Sequence, residues 1–228
     1  MNHVIAVANV AGGAGKTTTA HALAVSAVEY GKKVLLLDFD VASALTFKLG
    51  FENERTTLFD YLMAGKIIES QVITTTERFD FIASDSRLGS FIQHENLKAF
   101  LSNLPKRYDL IFIDTPSTLD ARLSFAIEES ELVVIPIGTD LHSIRGADQI
   151  RKIAGQKSIV TLKFNNRNSS SDNFDYSYEY LDAAIPYSEL ADKALEDTTS
   201  VITQNNRSEI ASAYREAAYS ILEKLELI

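Results

Sequence analysis

Cysteine is absent from this chain of 228 residues. That excludes disulfides and cysteine-ligated clusters, and it fits a reducing compartment. Proline numbers 4 and glycine 10, so little of the chain has linker character. Positive charge is in deficit, with 22 Lys and Arg against 31 Asp and Glu and a net charge of −9. Such a chain is not broadly basic, and any contact with DNA needs a local patch. No apolar stretch reaches the roughly 18 residues that a membrane span requires. The start shows no basic flank leading into an apolar leader core; an apolar run over Val4–Ala8 begins almost at once. Neither a secretory leader nor an anchor is expected, and the prediction is a cytoplasmic chain without a membrane partner.

What is present is an ordinary globular balance of 46% hydrophobic and 23% charged residues. The length suits one large α/β domain, which we take over residues 1–228. Short apolar runs occur at His3–Asn9, Lys33–Leu37, Phe79–Ala83, Leu110–Ile113, Leu132–Ile137 and Ile159–Phe164. Most are nearly continuous rather than alternating, as in strands covered on both faces of a parallel sheet. Helix-compatible segments lie between and after them, at Thr17–Tyr30, Asn96–Leu104, Asp120–Glu128 and Ser208–Leu227. The last has an apolar stripe at helical spacing. This alternation predicts a doubly wound, mostly parallel sheet flanked by helices. Asn165–Asp175 reads as a polar loop.

The central motif runs Val10-Ala11-Gly12-Gly13-Ala14-Gly15-Lys16-Thr17-Thr18. It follows an apolar strand and opens a helix, the context in which a phosphate-binding loop is credible. Glycines let backbone N–H groups turn inward around phosphate oxygens, and the helix start adds partial positive charge. Gly12, Gly13, Ala14, Gly15, Lys16, Thr17 and Thr18 are therefore the candidate nucleotide-binding residues. Lys16 is expected on the β- and γ-phosphates of ATP, the Thr17 hydroxyl on Mg²⁺, and Thr18 at the α-phosphate. The general spacing would put its first glycine on Val10, so the loop is a deviant form.

Two strand ends carry acids. Leu35-Leu36-Leu37-Asp38-Phe39-Asp40 ends in two aspartates two apart. Leu110-Ile111-Phe112-Ile113-Asp114 delivers Asp114 at the C-terminal end of a buried strand, where ligands bind in open α/β sheets. An acid there would hold Mg²⁺ through its water shell.

In this order, the three motifs resemble the ParA/MinD family of deviant-Walker ATPases, over nearly the whole chain. The resemblance implies a P-loop fold and weak ATP hydrolysis. It implies that Asp40 orients or deprotonates the attacking water and that Asp38 lies near the Mg²⁺ shell. Ala184-Ile185-Pro186-Tyr187 resembles the turn that flanks the adenine ring, which adds Pro186 to the site. It further implies an ATP-dependent homodimer, non-specific nucleoid DNA binding, and a ParB-like or other cargo adaptor that stimulates hydrolysis to segregate a plasmid, chromosome locus or other cargo.

One departure is Ala11, where the family carries a signature lysine that reaches the partner's phosphates. A trans cation of this kind is worth roughly 10³–10⁵ in rate. Slower hydrolysis, loss of the usual nucleotide-driven pairing, or a substitute cation all stay open, with Arg145 and Lys152 the nearest candidates. Carboxysome-positioning (McdA-type) members include chains lacking that lysine. Rival readings are a nucleotide-bound scaffold with vestigial hydrolysis, a metabolic ligase on the same fold, and a tyrosine autokinase. The last is suggested by Tyr176, Tyr178 and Tyr180, although alternation at that spacing equally marks one face of an extended segment. His3, His21, His94 and His142 show no metal-ligand spacing. Residues 188–228 hold four basic against eight acidic side chains, which argues against a helix on anionic lipid.

Overall fold

The computed structural model describes all residues except 1, 68, 91, 166–177 and 195–196. In chain order the strands are β1 (His3–Val7), β2 (Val34–Asp38), β3 (Ile73–Thr74), β4 (Asp80–Ile82), β5 (Leu110–Asp114), β6 (Leu132–Ile137), β7 (Ser158–Phe164) and β8 (Tyr180–Ile185). The helices are α1 (Lys16–Glu29), α2 (Ala44–Lys48), α3 (Leu58–Ala64), α4 (His94–Ser102), α5 (Ala121–Glu129), α6 (Leu141–Ala154), α7 (Glu189–Ala194), α8 (Val201–Gln204) and α9 (Glu209–Lys224).

Among the described residues the strands form one sheet in the order β3-β4-β2-β5-β1-β6-β7-β8. All neighbours pair in parallel except β3 with β4. The expected doubly wound, mostly parallel sheet is therefore present. Each of the six apolar runs overlaps a strand. The edge strands β3 and β8 are additions. β3 is only two residues long, and β8 carries the alternating burial of a half-covered edge.

The inner strands are buried on both faces, and successive residues go to opposite sides. Leu36, Phe112 and Val134 enter one apolar cluster with α1 and α9. Leu35, Leu37, Ile111 and Ile113 enter a second with α3 and α4, and Val133 and Ile135 a third with α6. α1 is rich in alanine: Ala20, Ala22, Ala24 and Ala27 are all buried. Those small side chains let it pack closely on the sheet, and the loop feeding it leaves the C-terminal end of the inner strand β1. Register does the rest: Asp114 lies opposite both Val7 and Asp38. The loop and two acids thus share one edge, at the C-terminal ends of β1, β5 and β2. The polar stretch 166–175 and Tyr176 lie outside the described residues.

Candidate phosphate-binding site

The loop between β1 and α1 is held by backbone demands and by one buried amide. Gly13 and Gly15 have φ of 75° and 81°, the left-handed region that a side chain resists. Asn9 is fully buried. Its Nδ2 donates to Pro136 O at 2.8 Å and to Ser143 O at 3.2 Å, and its Oδ1 accepts from Ala11 N at 2.9 Å. α6 approaches so closely that a Cβ on Gly146 would fall 2.1 Å from Asn9 Oδ1. The first half of the loop is therefore pinned to β6 and α6. On the other side the Phe164 ring packs over Gly15, 3.1 Å from where a Cβ would stand.

Lys16 is buried and donates to Ser117 Oγ at 2.6 Å and to Ala11 O at 3.4 Å. Burial lowers its pKa, while the charges of Asp114 and Asp40 pull it back up. Thr17 Oγ1 donates to Asp114 Oδ2 at 2.8 Å. The other Asp114 oxygen, Oδ1, is buried with no hydrogen-bond partner among the described residues. Desolvation, then the nearby charge of Asp38, push the Asp114 carboxyl well above the usual carboxylate range, against the hydrogen bond from Thr17 and the charge of Lys16.

Asp38 is fully buried and more completely engaged. Its Oδ2 accepts from Thr46 N at 2.9 Å and Thr46 Oγ1 at 2.7 Å, and its Oδ1 accepts from Asp40 N at 3.1 Å. Burial still pushes its pKa up, to about 6, despite those hydrogen bonds. Asp40 is half-buried, and its Oδ1 accepts from Ala42 N at 3.0 Å. Ser43, in the following turn, has a φ of 52°. Asp38 thus organises the turn that presents Asp40.

The fold brings Gly12, Gly13, Ala14, Gly15, Lys16, Thr17, Thr18, Asp38, Asp40 and Asp114 to one end of the sheet. Pro186 follows β8, whose Ile185 O accepts from Asn165 N at 2.9 Å just beyond Phe164. It stands on the Phe164 side of the loop. Sequence reading missed Ser117, Asn9, Thr46 and Gly146. A polar residue at the end of an apolar run marked Asn9; nothing marked the others.

Ala11 is buried. Arg145 and Lys152 are both exposed on α6. Arg145 neighbours Ser143 and Gly146, which touch the loop, whereas Lys152 lies roughly 10 Å further along the helix at 1.5 Å per residue. Tyr178 is buried, donates to Asp148 and lies under the Arg151 guanidinium, 4.0 Å from the ring centroid. That packed phenol is not displayed as a phosphate acceptor.

A protein-family model described as an AAA domain matches residues 2–163. Among curated relatives, the chromosome partitioning protein ParA of Caulobacter vibrioides is 28% identical over 215 residues, covering 80% of each chain. The sporulation initiation inhibitor protein Soj of Bacillus subtilis is 31% identical over 161 residues, covering 66% of this chain and 64% of that protein. Among solved structures, the septum site-determining protein MinD of Pyrococcus horikoshii, complexed with Mg-ADP, superposes with a TM-score of 0.84 at 23% identity. That superposition covers 99% of this chain and 98% of that one.

Proposed function

We propose that this chain, which belongs to the ParA/MinD family of P-loop ATPases, is an ATP-driven positioning switch acting as one unit over residues 1–228. One observation carries the reading. Asp114 keeps a buried oxygen without a partner among the described residues, beside a loop whose threonine hydroxyl bonds its other oxygen and whose lysine lies in its field. A carboxylate left so costs stability unless a ligand completes it.

The residues fit ATP with Mg²⁺. Thr17 and Asp114 would hold the metal, Asp114 through its water shell, and the metal would offset the charge of the phosphates and of Asp114. Amides of residues 12–18 cradle the phosphates, Lys16 leaves Ser117 to reach the terminal ones, and Thr18 faces the α-phosphate. Pro186 flanks the base. Asp40 orients or deprotonates the attacking water, and Asp38 fixes the turn that carries Asp40. Two protomers pair over the nucleotides, bind DNA non-specifically, and part when a cargo adaptor stimulates hydrolysis. The γ-phosphate drives this only through contacts that the diphosphate cannot make. Arg145 is the preferred substitute for the missing lysine, because it stands nearer the loop than Lys152.

Phosphate release and fluorescent-nucleotide binding, measured for the native chain and for Lys16→Ala, test the reading. Lys16→Ala is expected to lose turnover by about 10³-fold, the scale of a lost charge on a transferring phosphoryl group. If neither protein binds nucleotide and both are equally inactive, the reading fails.

A further inference from the structure

Lys48 carries a heavily used ammonium outside the phosphate loop. It ends α2, the short helix that follows the turn carrying Asp40. Within the same helix Thr46 holds Asp38 through both its N–H and its hydroxyl, and Thr46 Oγ1 also accepts from Ser84 N at 2.8 Å. α2 is thus fastened to the acidic strand end. At its far end the Lys48 ammonium donates to three main-chain carbonyls, those of Ala194, Asp197 and Thr199, the last at 2.8 Å. An ammonium has three donors, and here all are spent on backbone. Ala194 is the last residue of α7, the helix that follows the Pro186 turn, so Lys48 places positive charge at the negative end of that helix.

A second anchor grips the next stretch from the opposite polarity. Glu77 Oε1 accepts from Ser200 N at 2.9 Å and from Thr203 Oγ1, and its Oε2 pairs with His21 Nε2 at 2.5 Å. His21 lies buried in α1, five residues beyond Lys16. His21 and Lys48 line a cavity of about 200 Å³ together with Thr18, Phe47, Ala191 and Val201. The wall opposite the P-loop threonines is therefore made by α7 and α8, and Lys48 fastens it to α2. Burial lowers the Lys48 pKa against the charges of Asp197 and Glu77, which fits an ammonium drawn into carbonyls.

We propose that Lys48 is a positioning residue that couples the Asp38–Asp40 turn to the α7 wall of the nucleotide site, so that seating a nucleotide against α7 sets the hydrolytic turn. The inference rests on the ATPase reading above. Lys48 touches no reacting atom. Its role is to make two walls of one site move together.

The test compares the native chain with Lys48→Met and Lys48→Arg, in steady-state ATP turnover and in amide hydrogen exchange with and without Mg-ADP. Lys48→Met is expected to lower kcat by about tenfold or more with KM within about threefold, since misplacing a catalytic group costs rate rather than uniform binding. Lys48→Arg, which restores donors to the carbonyls, is expected to recover much of that loss. In the native chain Mg-ADP should slow exchange in both α7 and α2; in Lys48→Met it should slow exchange in α7 alone. Turnover within about twofold of native, or α2 protection kept in Lys48→Met, would overturn the coupling. If the methionine variant does not fold, Lys48→Gln, which keeps a donor, is read by the same two measurements and the same outcomes. A native chain that binds no Mg-ADP sinks the ATPase reading, and the coupling falls with it; one that binds while α2 stays unprotected sinks the coupling alone.

Discussion

Two acidic clusters in this molecule use the same residue type and reach opposite states. At the edge of α3, Asp60 and Asp85 share Arg87. The guanidinium donates to Asp60 at 2.9 and 2.6 Å and to Asp85 at 2.8 and 2.7 Å, and Thr57 Oγ1 adds a bond to Asp85 at 2.6 Å. Hydrogen bonds from Arg87 hold Asp60 below the usual carboxylate range. For Asp85, burial pushes upward but is outweighed by hydrogen bonds from Arg87 and Thr57. At the sheet's C-terminal edge, Asp38 and Asp114 are fully buried beside one another, and burial drives both upward. Lys16 is drawn to Asp114 but bonds Ser117. One cluster carries its own cation and is finished. The other is short of positive charge, the electrostatic condition of a site that waits for a charged ligand.

Replacing Asp40 gives the largest expected effect on the open cluster. Asp40→Ala should reduce turnover by about 10²–10⁴, the usual worth of a positioned general base, with ATP binding nearly unchanged. Asp40→Asn keeps an acceptor for Ala42 N, so the turn should survive while turnover falls alike. Single-turnover phosphate release beside equilibrium nucleotide binding separates the two quantities. Equal turnover in native and Asp40→Asn proteins would remove Asp40 from the chemistry.

Asp114→Asn sharpens the contrast through stability. A carboxyl whose folded pKa is raised binds its proton more tightly folded than unfolded. Stability then declines as pH rises from the unfolded pKa of about 3.9 through the folded value. For Asp38 that window runs from roughly 4 to about 6; for Asp114 it extends further up. Asp114→Asn should therefore be more stable than the native chain at pH 7.5 without nucleotide, by on the order of 1 kcal/mol, and the gap should shrink toward pH 5. It should also lose most of the stabilisation that Mg-ATP confers on the native chain. Urea unfolding at both pH values, with and without Mg-ATP, reads all three. A variant less stable than native at pH 7.5 without nucleotide would mean that Asp114 serves the fold more than the ligand.

The sheet was legible because its inner strands are buried on both faces. Leu132–Ile137 is a run of pure apolar residues, and the strand occupies those same positions. Asp114 and the glycine loop were legible because a strand end and a helix start fix them by local geometry. Short elements were not. α2 is five residues long, and its Thr46 and Lys48 matter through partners 8 and 146–151 residues away. Ser117 matters only because register sets the end of β5 beside β1. Gly146 matters because a helix far along the chain meets Asn9 without room for a methyl group. Such contacts are products of tertiary packing, and periodicity carries no trace of them.

The smallest expected effect belongs to the finished cluster. Arg87 is 45% exposed at its side chain, so water screens its pairs, and exposed ion pairs are worth roughly 0–1 kcal/mol each. Arg87→Ala also removes a guanidinium 5.0 Å from the centroid of the Phe59 ring and leaves Asp60 and Asp85 facing one another. A loss of about 1 kcal/mol at neutral pH is the expectation. Its pH dependence should run opposite to that of Asp114. Both folded carboxyl pKa values are depressed, so the stability they contribute is present above about pH 4, the unfolded value, and disappears as pH falls through the lower folded values. ATP turnover should stay native, because neither acid lies among the residues around the phosphate loop. Thermal unfolding at pH 7 and pH 3, together with phosphate release, would check this. A turnover defect as large as that of Asp40→Ala would join the two clusters into one machine and erase the distinction drawn between them.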